Sequence, residues 1–348
     1  MKHFSNDIID WYHENHRSLP WRDTKDPYRI WLSEVILQQT RVSQGLPYYR
    51  EFIKAFPTVK DLARAPEDSV LRLWQGLGYY SRARNLHRCA KEVARKYDGR
   101  FPSTFEELIH LPGIGTYTAA AIASIAFGRK VAVVDGNVYR VLARIFGVTK
   151  DINSTDGKKY FSELANKLIS DKHPGDHNQA VMEFGATHCT PLNPRCDSCL
   201  FATQCVAYKR DMIEQLPVKE KKVSKRTRYF FYFILRDGNK VAMRKRMGKD
   251  IWHGLYEFHL LEADSEKNLT ALVKTDKLLA LLKGVREAGS MRHVLTHQIL
   301  EIRFFEADAQ NLTKNKKALG DLSFISLKNA EEVPKPIAIT KYLEKAKY

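Results

Sequence analysis

The sequence predicts a multidomain protein that combines the α and α+β classes. An all-α first part ends in a cysteine-rich loop, and a smaller α/β module follows it. Three observations predict this architecture: apolar residues recur at helical spacing up to about residue 212, four of the five cysteines then fall within seventeen residues, and β-rich runs begin after a charged stretch at Pro217–Arg226. With 348 residues, the chain is long enough for two or three domains.

The first part is predicted to consist of helices joined by short turns. Helices are expected over Arg29–Val42 and Asp68–Gln75, and a pair over Thr104–Ile109 and Thr116–Phe127 flanks a glycine-containing turn. Two further helices are indicated by apolar residues at helical spacing, which are Val138, Leu142 and Ile145, then Phe161, Leu164 and Leu168.

The second part is predicted to contain strands. The β-rich runs are Tyr229–Leu235, Lys240–Met243 and Ile299–Phe305, and a helix candidate at Thr275–Leu282 lies between strands. The stretch Pro217–Arg226 is charged and lacks apolar periodicity, so it is interpreted as a linker. A smaller α/β or α+β module is therefore expected after it.

The chain is strongly basic, with a formal net charge of +17 and an isoelectric point near 9.5. This charge balance raises the local concentration of polyanions and favours a nucleic acid as the partner. No apolar run approaches the length of a membrane span, and no basic amphipathic helix indicates a membrane surface. Composition therefore indicates an intracellular protein that binds DNA or RNA, without deciding whether it is an enzyme.

Cys189, Cys196, Cys199 and Cys205 are separated by six, two and five residues. Four thiolates this close in sequence can surround one metal centre and hold together a loop with little core of its own. Disulfides fit poorly, because the chain is long and its first residues include no apolar signal segment. Structural zinc sites usually have two short cysteine pairs. Only one pair is short here, so the spacing favours a [4Fe–4S] cluster and leaves zinc open.

The segment Leu111–Gly115 joins the predicted helix pair. Gly113 and Gly115 permit a tight turn whose backbone N–H groups are bare, directly before the N-terminus of the next helix. An ordinary interhelical turn is the alternative. In a chain this basic, a backbone site for a DNA phosphate is favoured.

Two carboxylates are candidates for catalysis. Glu34 is predicted to lie on a mostly apolar helix stripe, where burial would raise its pKa and keep it protonated, as a general acid requires. A Glu satisfied by a buried partner such as an arginine is the alternative. Asp135 follows four apolar residues and begins a helix, and an N-cap without catalytic function is its alternative interpretation.

Together with Gly115, Asp135 and the four-cysteine loop, several segments resemble the helix-hairpin-helix DNA glycosylase superfamily, and within it the MutY family of adenine DNA glycosylases. The likeness covers nearly the whole chain and is specific in the first two-thirds. The matching segments are Leu19–Arg22, Trp31–Thr40, Gly76–Leu86, Val134–Val138 and Met182–Ala186.

The resemblance implies a helix-hairpin-helix glycosylase core with an iron–sulfur loop, followed by a Nudix-like (MutT-like) domain. The four cysteines would bind a [4Fe–4S] cluster. The implied domains are a six-helix domain over residues 22–130, a cluster domain from residues 1–21 and 131–212, a linker over 213–227, and a Nudix-like 8-oxoguanine recognition domain over 228–348.

The resemblance also implies a monofunctional enzyme that flips out and excises adenine mispaired with 8-oxoguanine or G. Glu34 would protonate adenine, and ionised Asp135 would stabilise the oxocarbenium-like sugar and capture it covalently. Tyr117, Asn137 and Glu183 match supporting residues that orient these groups and the water. Endonuclease III-like members carry a Schiff-base lysine in this hairpin, where the chain has Tyr117, so lyase chemistry is not expected.

DNA contacts are implied in both parts of the chain. Gln39 and Tyr79 match residues that wedge into the duplex, although a helix surface and a core aromatic are the alternatives for them. The other implied contacts are Arg22, Thr40, Leu77, Gly113, Gly115, Arg140, Thr296 and His297.

The segment Arg244–Phe258 resembles the start of a Nudix-like domain. Phosphohydrolase activity needs paired glutamates for Mg²⁺, and the nearest string, Arg286–Ser290, lacks them, so a recognition module without hydrolysis is expected. Leu295–His297 stands where the family often has Phe-Ser-His. This chain therefore keeps the hydrogen-bonding groups of that motif but lacks its aromatic ring.

A zinc-bound, non-catalytic DNA-binding protein and a related pyrimidine-lesion glycosylase remain the alternatives. A Nudix hydrolase with a DNA-binding arm is disfavoured by the missing glutamates. The favoured interpretation is a monomer in the cytoplasm that acts on double-stranded DNA containing A:8-oxoguanine or A:G mispairs and has no membrane partner.

Overall fold

The computed structural model describes residues 3–220, 225–312 and 316–346. Part of the predicted linker, residues 221–224, lies outside the described residues. No helix in the described ranges combines the length and the apolar character needed to cross a membrane.

The chain forms two compact units. One comprises Met1–Ala65 and Arg84–Lys221, and the other comprises Pro66–Ala83 and Lys222–Tyr348. Pro66–Ala83 thus groups with the C-terminal unit, although the predicted six-helix domain includes it. The finer domain boundaries proposed from the sequence stay predictions.

The predicted all-α first part is confirmed, since the described residues before the linker form helices and loops. In chain order the helices are α1 (Phe4–Asn15), α2 (Pro27–Leu37), α3 (Val42–Ala55), α4 (Val59–Arg64), α5 (Glu67–Leu73), α6 (Tyr80–Lys96), α7 (Phe105–Leu108), α8 (Thr116–Phe127), α9 (Gly136–Phe146), α10 (Thr155–Leu168), α11 (Pro174–Thr187) and α12 (Val206–Lys209).

One predicted helix boundary is wrong. Helix α2 begins at Pro27, where the side chain of Asp26 caps it by accepting a 2.9 Å hydrogen bond from the Tyr28 N–H. It ends at Leu37 and does not continue to Val42, because Gln39 has a left-handed φ of +54° that a helix does not allow. The predicted helix is too long because the apolar residue taken as its end, Val42, is the first residue of α3.

Helices α1, α9, α10 and α11 share one core with the cysteine loop. Phe4, Leu142, Phe161, Phe184 and Phe201 are all at most 2% exposed in this core. Since the start of α9 and the middle of α11 carry predicted site residues, this packing fixes their positions relative to each other.

The turn between α7 and α8 contains the two predicted glycines. Gly113 has φ +74°, and an added Cβ would lie 2.5 Å from the Cβ of Asn85, so this position accepts only glycine without rearrangement. Gly115 is the N-cap of α8 with extended backbone, and nothing lies within 4 Å of an added Cβ. The first N–H groups of α8 therefore have no side-chain cap from Gly115.

The second unit is built around a mixed sheet, and the predicted α/β or α+β character of this module is confirmed. The strands are β1 (Arg226–Asp237), β2 (Lys240–Lys245), β3 (Tyr256–Glu257), β4 (His259–Ala263), β5 (Lys283–Val294), β6 (Gln298–Asp308) and β7 (Ser323–Ser326). The sheet order is β3-β2-β1-β6-β5, with β4 also paired to β1 and β7 to β2. Strands β1 and β6 run parallel, and the other pairs are antiparallel.

The middle of β1 is apolar without alternation because both of its faces are covered. Its residues Phe230–Leu235 are all buried, which is typical of a strand in the interior of a parallel pair. The helices of this unit after the sheet begins are α13 (Leu269–Thr275), α14 (Lys316–Leu319), α15 (Leu327–Glu332) and α16 (Ile337–Lys345).

The helix predicted over Thr275–Leu282 is wrong. Helix α13 ends at Thr275, and only a short 3₁₀ turn at Leu279–Leu281 follows. The carboxylate of Asp276 interrupts the helix, because it accepts hydrogen bonds from the N–H groups of Leu278 (3.0 Å) and Leu279 (2.9 Å). The string Arg286–Ser290 lies in strand β5, so it does not form the helix that carries the glutamates of a hydrolytic Nudix domain.

Substitution of Gly113 by alanine is expected to destabilise the first unit by about 1–3 kcal/mol, because it adds a left-handed non-glycine residue and a clash with Asn85. Urea unfolding of the full chain measures the change. Gly115→Ala is the matched control and is expected to stay within about 0.5 kcal/mol of wild type. Equal stabilities for the two variants would contradict the requirement for glycine at position 113.

Candidate active site

A cleft of about 190 Å³ opens in the first unit. It is lined from α2, α8, α9 and α11 and from the segments that precede and follow α2. The predicted site residues that it brings together are Arg22, Glu34, Thr40, Tyr117, Asp135, Asn137 and Glu183.

Glu34 lies on α2 and is 9% exposed. Its hydrogen-bond partner is Tyr117, whose hydroxyl donates to Oε2 at 2.5 Å, and not the arginine that was the alternative. Burial raises the pKa of Glu34 from 4.5 to about 7, while the Tyr117 hydrogen bond lowers it and the charge of Asp135 raises it further. Glu34 therefore keeps its proton to a higher pH than an exposed glutamate does.

Asp135 is both an N-cap and part of the cleft. Its Oδ1 accepts hydrogen bonds from the N–H groups of Asn137 (2.9 Å) and Val138 (2.8 Å), and its Oδ2 accepts from Asn137 Nδ2 at 2.8 Å. Burial raises the pKa of Asp135, and these three hydrogen bonds oppose that rise because they stabilise the carboxylate. The N-terminus of α9 also favours a negative charge here.

The two carboxylates thus differ in the number of donors that they face. Asp135 accepts three hydrogen bonds, whereas Glu34 accepts one from Tyr117. Hydrogen-bond donors stabilise the ionised form of a carboxyl group, so the surroundings of Asp135 favour its carboxylate more than those of Glu34 do.

Glu183 on α11 serves as an anchor. Its side chain is completely buried and pairs with Arg17 (2.7 Å) and Arg22 (2.5 Å). Burial would raise the pKa of Glu183, but the hydrogen bonds from both arginines outweigh it and lower the pKa to about 2. The carboxylate is therefore always ionised at neutral pH and holds Arg22 in the cleft wall.

Arg17 is a cleft residue that the sequence prediction missed. Its backbone N–H and side-chain Nε both donate to Glu183 Oε1, at 3.1 and 2.7 Å. The two residues are 166 positions apart in the chain, so no local pattern could have linked them.

Arg140, for which a DNA contact is predicted, has its side chain inside the first unit, and the contact itself stays a prediction. Arg140 is 8% exposed, and its guanidinium donates to the carbonyls of Cys189 (2.7 Å) and Gly185 (2.5 Å) and to Asn137 Oδ1 (2.7 Å). These bonds occupy its donors inside the protein. Arg140 therefore connects the start of α9 to α11 and to the cysteine loop.

Gly185 lets α11 approach α9 closely enough for this connection. An added Cβ would lie 2.7 Å from the Cβ of Asn137 and 3.0 Å from its carbonyl oxygen. A larger residue would push Asn137, and with it the cap at Asp135, away from α11.

Gln39, Gly113 and Gly115 belong to the first unit but are not part of the cleft lining. Gln39 is exposed in the loop after α2, so the alternative of a helix surface does not hold. Thr40 lines the cleft beside it, and its hydroxyl donates to the Gln38 carbonyl at 3.3 Å.

The second unit brings Tyr79 and Thr296 together. Tyr79 has a left-handed φ of +48° and is 42% exposed, so it is not a core aromatic, and its hydroxyl hydrogen-bonds the Thr296 hydroxyl. His297 is exposed next to it. Leu77, in contrast, is 6% exposed, so its side chain packs inside the unit, and the DNA contact predicted for this position stays a prediction.

The four predicted metal ligands line one cavity. Cys189, Cys196, Cys199 and Cys205 surround it together with Arg144. The Phe201 N–H donates to Cys199 Sγ at 3.4 Å, and Arg144 Nη1 approaches Cys189 Sγ at 3.6 Å. Within the described ranges, no three His, Cys, Asp or Glu side chains form a group suited to a single metal ion. Four sulfur donors around a cavity with N–H groups directed at sulfur do fit a cluster.

Comparisons with known proteins agree with this arrangement. Residues 32–170 match the HhH-GPD superfamily of base excision DNA repair proteins, and residues 231–345 match the NUDIX domain. An adenine DNA glycosylase of Buchnera aphidicola subsp. Baizongia pistaciae (strain Bp) is 34% identical over 99% of this chain and 97% of its own length. The chain belongs to the adenine DNA glycosylase family.

A further adenine DNA glycosylase and two solved structures match a shorter part of the chain. The Homo sapiens adenine DNA glycosylase is 46% identical, over 61% of this chain and 41% of its own length. A solved thermostable thymine-DNA glycosylase is 32% identical with a TM-score of 0.56, over 60% of this chain and 96% of that one. An endonuclease III in a DNA complex is 22% identical with a TM-score of 0.52, over 61% of this chain and 96% of that one, and shares the fold.

Glu34→Gln is expected to stabilise this adenine DNA glycosylase family member at alkaline pH. The pKa of Glu34 is about 7 in the folded protein and 4.5 as its ordinary value, so folding favours the protonated form. Wild-type stability therefore falls as the pH rises from 4.5 to about 7, by up to about 3 kcal/mol for a shift of this size, and stays reduced above it. Glutamine avoids this loss.

Urea unfolding of the full chain at about pH 8 and about pH 4 measures the effect, which should be present only at the higher pH. Glu163→Gln, an exposed substitution on α10, is the control and should not differ from wild type. A Glu34→Gln protein no more stable than wild type at the higher pH would show that Glu34 ionises without penalty.

Proposed function

We propose that the protein is a monofunctional adenine DNA glycosylase that removes adenine paired with 8-oxoguanine or G in double-stranded DNA. The observation that carries the proposal is that Glu34, with a pKa of about 7, and Asp135, capped by three donors, line one cleft. The adenine would have to leave the base stack to enter it, at a cost of about a few kcal/mol.

The proposed reaction begins with proton transfer from Glu34 to N7 of the flipped adenine. The C1′–N9 bond then breaks, and its electron pair leaves with the base as a neutral adenine. The sugar becomes oxocarbenium-like, and the Asp135 carboxylate stabilises C1′ and forms a transient bond to it. Glu34, now ionised, accepts a proton from the incoming water, which displaces Asp135 and restores both groups.

The supporting residues have distinct tasks in this proposal. Tyr117 orients Glu34 through its 2.5 Å hydrogen bond, and Asn137 orients Asp135 through both its backbone N–H and its side chain. Glu183 positions Arg22 in the cleft wall. Tyr117 also has no amine with which to form an imine, so strand cleavage is not part of the reaction.

DNA binding is proposed to use both units. The bare N–H groups at the start of α8, behind Gly113 and Gly115, would receive a phosphate. Gln39 and Tyr79 are exposed on left-handed loop positions, where a side chain can reach into a duplex. Thr296 and His297 would read 8-oxoguanine by hydrogen bonds.

The cofactor proposed for Cys189, Cys196, Cys199 and Cys205 is a [4Fe–4S] cluster. It would hold the loop that ends the first unit and keep nearby basic residues in place for phosphate contacts. The enzyme is proposed to act as a monomer on DNA in the cytoplasm. Iron and sulfide analysis of the purified protein distinguishes this cluster from zinc, and zinc alone would refute it.

A pyrimidine substrate is the second candidate, because a thymine-DNA glycosylase is among the similar structures. Labelled duplexes that carry A opposite 8-oxoguanine, A opposite G, T opposite G or thymine glycol, followed by alkali cleavage, separate the two. Excision of A from the first two is expected. Preferential release of T or thymine glycol would replace adenine as the substrate.

Glu34→Gln and Asp135→Asn are each expected to lower single-turnover excision of A opposite 8-oxoguanine by at least about 1,000-fold, because each removes a group that acts in the transition state. Binding of the same duplex in a gel-shift assay should change little. Glu163→Gln is the control with normal excision. Normal turnover by either variant would refute the assignment of these carboxylates.

The excision rate is expected to fall about tenfold per pH unit above about pH 7, as Glu34 loses its proton. Tyr117→Phe removes a hydrogen bond that lowers the pKa of Glu34, so the fall should begin at a higher pH. Single-turnover rates across the pH range measure both. If Tyr117→Phe shifts the pH dependence of the excision rate to lower pH, or leaves it unchanged, the ionisation of another group limits the rate.

A further inference from the structure

His188 follows α11 and immediately precedes Cys189. Its ring lines the same cavity as the four cysteines, and the residue is 7% exposed. The backbone holds it there: its N–H donates to the Phe184 carbonyl at 2.9 Å, and its carbonyl accepts from the Arg195 N–H at 3.3 Å.

Aromatic packing fixes the orientation of the His188 ring. The ring stacks on Phe184, with centroids 4.8 Å apart and planes 17° apart, and Trp11 meets it edge to face at 6.1 Å. Phe184 is itself completely buried in the core. The ring is therefore held by contacts on two sides and cannot turn toward solvent without breaking them.

The ring nitrogen Nε2 of His188 is buried and has no hydrogen-bond partner among the described residues. A buried polar atom without a hydrogen-bond partner costs about 1–3 kcal/mol, so such atoms are rare in folded proteins. The unpaired Nε2 therefore indicates a partner that the chain itself does not supply. The neighbouring N–H groups of Phe201 and Arg144 already approach cysteine sulfurs at 3.4 and 3.6 Å. The wall of this cavity is thus a set of donors directed at sulfur.

We propose that His188 donates a hydrogen bond from Nε2–H to a sulfur of the bound cluster and raises the cluster's reduction potential. The proposal rests on the [4Fe–4S] cofactor proposed above. Thiolate and sulfide are acceptors, so the proposed bond requires the tautomer that carries its hydrogen on Nε2. A hydrogen bond to sulfur stabilises the reduced, more negative cluster over the oxidised one, and this is a recognised means of tuning its potential.

His188→Phe and His188→Gln test the proposal as a pair. Phenylalanine keeps the stacking on Phe184 and removes the N–H, whereas glutamine keeps an N–H near the position of Nε2. Anaerobic redox titration of the purified holoprotein measures the potential. In the phenylalanine variant, the ratio of reduced to oxidised cluster at a fixed potential is expected to fall about tenfold. This corresponds to a reduction potential lower by about 59 mV for one electron. The glutamine variant should stay near wild type.

His16→Phe is the matched control. His16 stacks on Tyr12 at 4.7 Å, much as His188 stacks on Phe184, but among the described residues it is not part of the cysteine cavity. Its substitution should leave the potential unchanged. An unchanged potential in His188→Phe with an intact cluster overturns the proposal, whereas a wild-type protein without iron and sulfide refutes the cofactor and not the role of His188.

If the phenylalanine variant loses its cluster, the proposal is tested on the wild-type protein instead. In protein labelled with nitrogen-15 histidine, pulsed electron paramagnetic resonance of the paramagnetic cluster should show a nitrogen coupling that His188→Gln lacks and His16→Phe retains. Wild-type protein with the cluster and without that coupling overturns the proposal.

Discussion

The hydrogen bonds at the start of α9 hold the rest of the site in place. The oxygens of Asp135 that cap the helix belong to the carboxylate that faces the cleft, so the helix cannot begin elsewhere without moving the anion. Asn137 extends the cap to Arg140, which reaches the carbonyls of Gly185 and Cys189. One short network therefore ties the cleft to α11 and to the cysteine loop. A change at any of these points is transmitted to Asp135 because the connecting groups are partly or fully buried and hydrogen-bonded to one another.

Three carboxylates in one cleft are held in three electrostatic states by their surroundings. Two arginines keep Glu183 ionised with a pKa of about 2, and burial with a single tyrosine donor brings Glu34 to about 7. Burial raises the pKa of Asp135, and its backbone and amide donors oppose that rise. The residue type is nearly the same in all three cases, so the neighbours alone set how readily each carboxyl group ionises. Much of this arrangement is unfavourable for folding, as expected of a site built for chemistry.

The fold class was accessible from the sequence because its signals are local, whereas the roles of the site residues were implied by the family resemblance and not by local pattern. Helical spacing, the Asp135 position after an apolar run and the cysteine spacing can each be recognised within twenty residues. The failures have equally physical causes. Asp276 ends a helix that apolar periodicity extends, since periodicity does not register a side chain that bonds to the backbone. The burial of Arg140 was also missed, because two of its partners are carbonyls 45 and 49 residues away in the chain. Arg17 meets Glu183 only through the tertiary fold.

The segment Pro66–Ala83 belongs to the second unit although it lies well inside the sequence of the first. Asp68 pairs with Lys245 at 2.6 Å, and Gln75 bonds to Thr340 at 2.9 Å. The C-terminal module therefore cannot be removed without affecting the rest of the chain. Removal of the residues after about 221 would take away the residues on which α5 and the Tyr79 loop pack. The remaining chain would then contain an internal segment without its packing partners. Grafting this module onto another glycosylase would require transplanting both stretches together.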